Sequence, residues 1–309
     1  MTGYVEQISL GTEQAVLRKI LRGALRVLFR GLISPPTPVP VQRVLLRSLT
    51  LISHRPAGVT RSHGQLAGRP CEWHRAQASQ GRALLYLHGG AYLIGAPNTH
   101  RSICANLAKR AQLDVCALDY RLAPEHPYPA ARDDAVAAYQ ALLEQGYRPE
   151  QIVVGGDSAG GNLSLITTLQ LRAQGLPLPR ALLLFSPVTD FTGAQLHDPE
   201  AGDPLLHPAW MEQAIRLYCP PELAHDDPGL SPLYAELSGL PAMLIQVGED
   251  ESLRNDSLRL AAKAHDAGVA VQLQRYVGMW HVFQAHAGVL KVADRALADA
   301  ARFIRAHDA

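Results

Sequence analysis

The sequence predicts an α/β fold, a mostly parallel central sheet with helices on both faces. Three observations carry this. Short apolar runs recur at 83–87, 113–120, 151–154, 181–185, 242–247 and 271–276, the length and composition of strands. Segments with helical periodicity stand between and after them, at 98–110, 129–147 and 289–304. The pentapeptide Gly156-Asp157-Ser158-Ala159-Gly160 joins one such run to a further helical pattern that begins at Gly161. A strand, a one-residue pivot at serine and a helix make the geometry of a nucleophile elbow. The turn is so tight that a Cβ two residues either side of the serine would clash, which is why both positions are glycine. It lifts the hydroxyl clear of the sheet and sets the first N–H groups of the helix, starting at Ala159, beside the atom the serine would attack.

Composition bounds the rest. At 309 residues there is room for one large domain or two small ones, and 47% hydrophobic residues suffice for a sizeable core. Lysine and arginine number 29 against 28 acidic residues, a formal charge of +1 that lacks the basic excess of a nucleic-acid binder. Cys71, Cys104, Cys116 and Cys219 are far apart and form no Cys-x-x-Cys. They are expected to be buried free thiols of a reducing compartment, hence a cytoplasmic location.

In chain order, residues 13–33 place Leu17, Leu21, Leu25, Leu28 and Leu32 at helical spacing, with Arg18, Arg22, Arg26 and Arg30 on another face. An arginine in every turn excludes a membrane span, and no uncharged apolar core marks a signal peptide. No stable membrane insertion is expected. This basic amphipathic helix is expected to pack its apolar face on the protein body, a membrane surface being the alternative. Ser34 to Pro40 is expected to be an extended linker. Leu49–Ile52 and Cys71–His74 are expected to be antiparallel strands that open the sheet.

The run 83–87 is apolar enough to be buried on both faces and ends in His88-Gly89-Gly90-Ala91-Tyr92. Taken alone this is a strand-end turn. Followed downstream by an elbow it predicts an oxyanion hole, in which the N–H groups of Gly89 and Gly90 converge with that of Ala159. Tyr120 to Pro127 is a proline-rich loop. Residues from about 191 to 230 break the alternation; rich in Pro, His and Asp, they hold one helical piece, Pro208 to Tyr218. With the N-terminal helix, about residues 1–40, this insertion is expected to cap the site of one domain spanning 1–309.

A serine hydroxyl needs a base of near-neutral pKa, almost always histidine. Thirteen histidines make the count uninformative, but position selects His281, in the loop after the last strand. The orienting acid should follow the preceding strand, where Glu249, Asp250 and Glu251 stand in a row.

The residues His88-Gly89-Gly90, Tyr120 to Pro127, Gly156 to Asn162, Ser186-Pro187 and the acid and histidine loops together resemble the bacterial hormone-sensitive-lipase-like esterases, family IV of the α/β-hydrolase fold. The resemblance covers roughly residues 45–305 and is weaker in the caps. It implies a serine carboxylesterase acting on short- to medium-chain acyl esters through an acyl-enzyme, with a small-molecule ester as partner and no nucleic acid. Many members dimerise through a sheet edge, so a homodimer is implied too. No metal or organic cofactor is called for. Two departures stand out: Ala91 replaces a third glycine, and three acids occupy the place of one aspartate. The family's acid lies two residues before a leucine, here Leu253, with Arg254 and Asp256 continuing the match; this selects Glu251, 30 residues (281 − 251) before the histidine. Arg121, Glu125 and Asp157 are expected to be braces. An amidase or other deacylase would carry the same residues, and an inactive ligand-binding relative would keep the fold.

Overall fold

The apolar runs form the middle of a nine-stranded sheet among the described residues of the computed structural model, which are 3–51, 56–79 and 81–307. The strands are β1 (Val5–Ile8), β2 (Val59–Leu66), β3 (Arg69–Ala76), β4 (Ala83–Leu87), β5 (Asp114–Leu118), β6 (Ile152–Asp157), β7 (Ala181–Phe185), β8 (Ala242–Gly248) and β9 (Val271–Tyr276). Their spatial order is β1-β9-β8-β7-β6-β4-β5-β3-β2. All neighbours from β1 to β5 pair parallel, while β3 runs antiparallel to both β5 and β2.

The helices are α1 (Ala15–Gly31), α2 (Val39–Thr50), α3 (Arg101–Ala111), α4 (Ala130–Glu144), α5 (Ala159–Ala173), α6 (Pro208–Tyr218), α7 (Arg254–Asp266) and α8 (Lys291–Ala306). Side chains alternate across the sheet, as the period of two in a strand requires. Leu85, Leu87, Val154, Leu182 and Leu184 join a core shared with α4, α5 and α7. Leu84, Tyr86, Val153 and Leu183 join another with α3 and α8. Every residue of β4 to β7 is buried because helices cover both faces, which explains the unbroken apolar runs.

Three N-terminal expectations need correction. Leu49 and Thr50 end a helix and are not a strand; Leu51 lies in the turn after it, and Ile52 falls outside the described residues. The extended linker is shorter than Ser34 to Pro40, because α2 begins at Val39 with Pro40 in its first turn. Proline's missing N–H has no partner to lose there, so the residue that looked like a breaker starts a helix. The sheet also has two more strands than the apolar runs indicate. β2 forms a hairpin with β3, and β1 lies along β9. Both are edge strands whose residues are mostly exposed or half-buried, so neither reads as an apolar run.

The packing of α1 follows expectation in part. Leu21, Leu25 and Leu28 pack against the cores, yet Leu17 and Leu32 are exposed and no residue of α1 is fully buried. Its arginines do much of the holding. Arg22 ion-pairs with Asp250 at 2.6 Å, Arg18 donates to the Gly11 carbonyl at 2.8 Å, and Arg26 reaches the carbonyl of Ala201. In α2, buried Gln42 accepts from Trp210 Nε1 of α6 at 2.9 Å, tying the N-terminal segment to the 191–230 segment. All four cysteines are free and buried, as expected. No described helix is long and apolar enough to cross a membrane.

Candidate active site

Ser158 sits between β6 and α5 with φ 55° and ψ −119°, a region that costs a non-glycine residue about 1–3 kcal/mol. The strain is held by main chain on all sides. Ser158 N donates to the Phe185 carbonyl at 2.8 Å, and its own carbonyl accepts from Asn162 N at 3.1 Å and Val188 N at 3.2 Å. At Gly160, a Cβ would overlap the carbonyl oxygens of Leu87 and His88, the latter at 2.6 Å. Glycine is therefore a condition of α5 passing so close to the end of β4. The serine itself is 7% exposed.

The end of β4 brings the second element. Gly90 has φ +120° and a Cβ there would run into the Ile94 main chain. The next two residues, Ala91 at φ 55° and Tyr92 at φ 60°, continue in the left-handed region. The loop is pinned from outside: Arg43 of α2 donates to the Leu93 carbonyl at 2.7 Å, and Tyr92 stacks on Tyr218 of α6 with centroids 3.8 Å apart. Among the described residues, the N–H groups of Gly89, Gly90 and Ala159 donate no hydrogen bond to the protein. Three unengaged donors on the loop and helix that meet at the serine are what an oxyanion hole needs.

The acid and histidine loops meet at the end of β8. Glu251 is wholly buried; its Oε1 lies 3.4 Å from His281 Nδ1. Its Oε2 accepts from Ser186 Oγ at 2.8 Å and from Gly248 N at 2.9 Å. Burial disfavours charge on His281, but the hydrogen bond and charge of Glu251 outweigh it and hold the imidazole above its ordinary pKa. Burial pushes the Glu251 carboxyl up, and His281 opposes this. The neighbours of Glu251 are spoken for: Asp250 by Arg22, and Glu249 by Arg254 and Arg275, both at 2.8 Å. Ser158 Oγ makes no hydrogen bond to His281 among the described residues; such bonds often tighten only once substrate is bound.

Residues expected to be braces do brace. Arg121 ion-pairs with Asp134 at 2.7 Å, and Glu125 pairs with Arg43 at 2.7 Å. Asp157 accepts from Tyr86 OH at 2.6 Å and pairs with His100 at 3.3 Å. Burial works against both charges of that pair, yet each partner favours the other's charged form, so Asp157 is lowered and His100 raised. His88 stacks on Tyr120 at 4.2 Å, and burial lowers its pKa to about 3, so it stays neutral.

Two residues escaped the sequence. Ser186 appeared there only as part of a motif; here its hydroxyl links Glu251 to the N–H of Val282, the latter at 3.5 Å. His100 gave no signal at all, since its partner Asp157 lies 57 positions away. A cavity of about 330 Å³ opens elsewhere, lined by Pro56, Val59, Arg61, His74 and Ala105. It touches neither Ser158 nor His281 and offers no nucleophile.

Residues 84–285 match the family model of the alpha/beta hydrolase fold. A protein described as an esterase from Acinetobacter venetianus is 42% identical over 246 residues, covering 79% of this chain and 81% of its own. An acetyl-hydrolase of Streptomyces hygroscopicus is 41% identical over 239 residues, covering 76% and 79%. Among solved structures, a hormone-sensitive lipase from a metagenome library superposes with a TM-score of 0.90 at 35% identity, over 94% of this chain and 98% of its own.

Proposed function

This chain belongs to the α/β-hydrolase family, among the bacterial hormone-sensitive-lipase-like esterases, and is a carboxylic ester hydrolase; we propose that it acts through an acyl-enzyme formed on Ser158. His281 takes the hydroxyl proton as Oγ attacks the ester carbonyl. The N–H groups of Gly89, Gly90 and Ala159 receive the oxyanion. His281 protonates the departing alcohol, then activates the water that releases the acid. Glu251 orients the ring and stabilises its cationic form. The single observation that carries this assignment is the buried Glu251–His281 contact at 3.4 Å, on the loops beside the strained serine.

The substrate class follows from enclosure. We take residues 1–309 as one domain in which about 1–40 and 191–230 cap the site. The stacking of Tyr218 on Tyr92, the Trp210–Gln42 bond and the arms of Arg22 and Arg43 support this. Ser158 and His281 are 7% and 3% exposed, which supports a site walled in by those segments. Short and medium acyl chains suit it, and chains beyond about ten carbons should be poor substrates. Four buried free thiols fit a reducing, cytoplasmic setting. A homodimer joined through a sheet edge would use β1 or β2, since β1 covers β9.

The test is a nitrophenyl-ester series from acetyl to palmitoyl, beside an amide of the best acyl group. Turnover should peak at short to medium chains and be far slower on the amide. Faster cleavage of palmitoyl than butyryl esters, or marked activation at an oil–water interface, would refute the walled pocket. Preference for the amide would make the enzyme a deacylase.

A further inference from the structure

Large apolar side chains left in solvent are concentrated in one part of this molecule. Of the twelve on described residues, nine lie in or just beyond α1 and α2. On α1 the outer stripe is Val16, Ile20 and Val27, at 72%, 64% and 75% exposure; Val44 and Leu51, seven residues apart in and just beyond α2, are 62% and 66% exposed. The spacing 16, 20, 27 keeps one helical face, opposite the side on which Leu21, Leu25 and Phe29 pack. Exposed aliphatics clustered this way, not scattered singly, mark an interaction surface.

The charges around that stripe are of one sign. Residues 14–51 carry six arginines and one lysine and no acid, while the whole chain is only +1. Arg22 and Arg43 have carboxylate partners, Asp250 and Glu125. Arg18 and Arg26 turn to the carbonyls of Gly11 and Ala201, which leaves the exposed Lys19, Arg30 and Arg47 with no carboxylate partner among the described residues. The nearest acid before α1, Glu13, is paired with Lys291 at 3.0 Å.

We propose that the outer face of α1, with the exposed side chains of α2, docks the enzyme on an anionic lipid bilayer, with the aliphatic stripe at the acyl boundary and Lys19, Arg30 and Arg47 among the headgroups. A second copy is disfavoured because a two-fold contact would press unpaired cations against their own copies. A protein partner is disfavoured because the stripe has no exposed aromatic anchor, which the centre of a protein interface usually provides. Docking is peripheral and separate from catalysis. Through the Arg22–Asp250 and Arg43–Leu93 contacts, however, the docked helices are those fastened to the acid loop and the glycine loop.

The experiment is co-sedimentation of the full chain with vesicles of phosphatidylcholine alone, or with roughly a third phosphatidylglycerol. Binding should appear only with the anionic lipid and weaken steeply as salt is raised. Ile20→Glu with Val27→Glu should weaken it at least about tenfold, without changing the melting temperature by more than a few degrees. Leu196→Glu, an exposed apolar residue outside the patch, should leave binding intact. Failure to bind anionic vesicles overturns the proposal, and so does undiminished binding by the double variant. A dimer in light scattering that the double variant converts to monomer would also overturn it, because a second copy would then cover the face.

Discussion

The two ends of this site's enclosure are built by opposite means. At the strand ends, positions are held by main chain: the φ of Ser158, the run of positive φ at Gly90 to Tyr92, and a glycine contact that excludes any Cβ. Every residue of β4 and β6 is buried. In α1, no residue is fully buried, and much of the attachment is arginine reaching to carbonyls and one carboxylate. Main-chain constraint gives precise, costly geometry. Long polar arms give attachment that solvent can compete for. Chemistry needing placement within fractions of an ångström belongs on the first kind of support, and the second suits the proposed cap, which must admit substrate.

The largest effect should come from the rigid side. Ser158→Ala should lower ester turnover at least about a thousandfold with the fold retained, because it removes the proposed nucleophile and few contacts. Residual activity well above that level, beyond contamination, would mean that the elbow holds something other than the nucleophile.

The acid loop sharpens the contrast within three residues. Glu251→Gln should cut kcat by about two to four orders of magnitude, since a neutral amide cannot stabilise the imidazolium. Asp250→Asn should be much milder, because the Asp250 carboxylate is paired with Arg22. The pH dependence carries the same information. Glu251 holds the His281 pKa above its usual value, and catalysis needs the neutral ring. Activity should therefore be lost as pH falls through an inflection above the ordinary imidazole value of about 6.5. In Glu251→Gln, the remaining activity should survive to lower pH. A milder effect at Glu251 than at Asp250 would shift the assignment by one residue.

On the flexible side, Arg22→Ala removes a half-buried ion pair and should cost about 1 kcal/mol or less. It should change KM severalfold more than kcat, because it loosens a wall and leaves the reacting groups in place. A fall in kcat as deep as that of Glu251→Gln would erase the distinction between the two supports. The smallest effect is expected at Ala91, which adopts φ 55° where glycine would be unstrained. Ala91→Gly should raise the free energy of unfolding by up to about 1 kcal/mol, measured by chemical denaturation. Destabilisation would show that the methyl group's packing outweighs the strain.

Whatever rests on neighbours in the chain could be read from the residues alone. The doubly buried strands, the glycines of the turn at Ser158 and α6 at Pro208–Tyr218 were all legible. Each depends on local sterics or on an unbroken apolar run. Even Glu251 was selected by spacing to Leu253, and the structure puts its carboxylate 3.4 Å from His281 Nδ1. Tertiary structure alone decided the rest. β1 finds β9 across the whole chain, Ser186 reaches Glu251 across 65 positions, and His100 reaches Asp157 across 57. Which face of α1 turns outward was also decided there, because leucines and arginines both had partners to offer and only packing could choose between them. Such pairings join residues whose separate neighbourhoods carry no mark of each other. They exist because the folded sheet brings its strand ends together, and burial then favours whichever polar groups can satisfy one another.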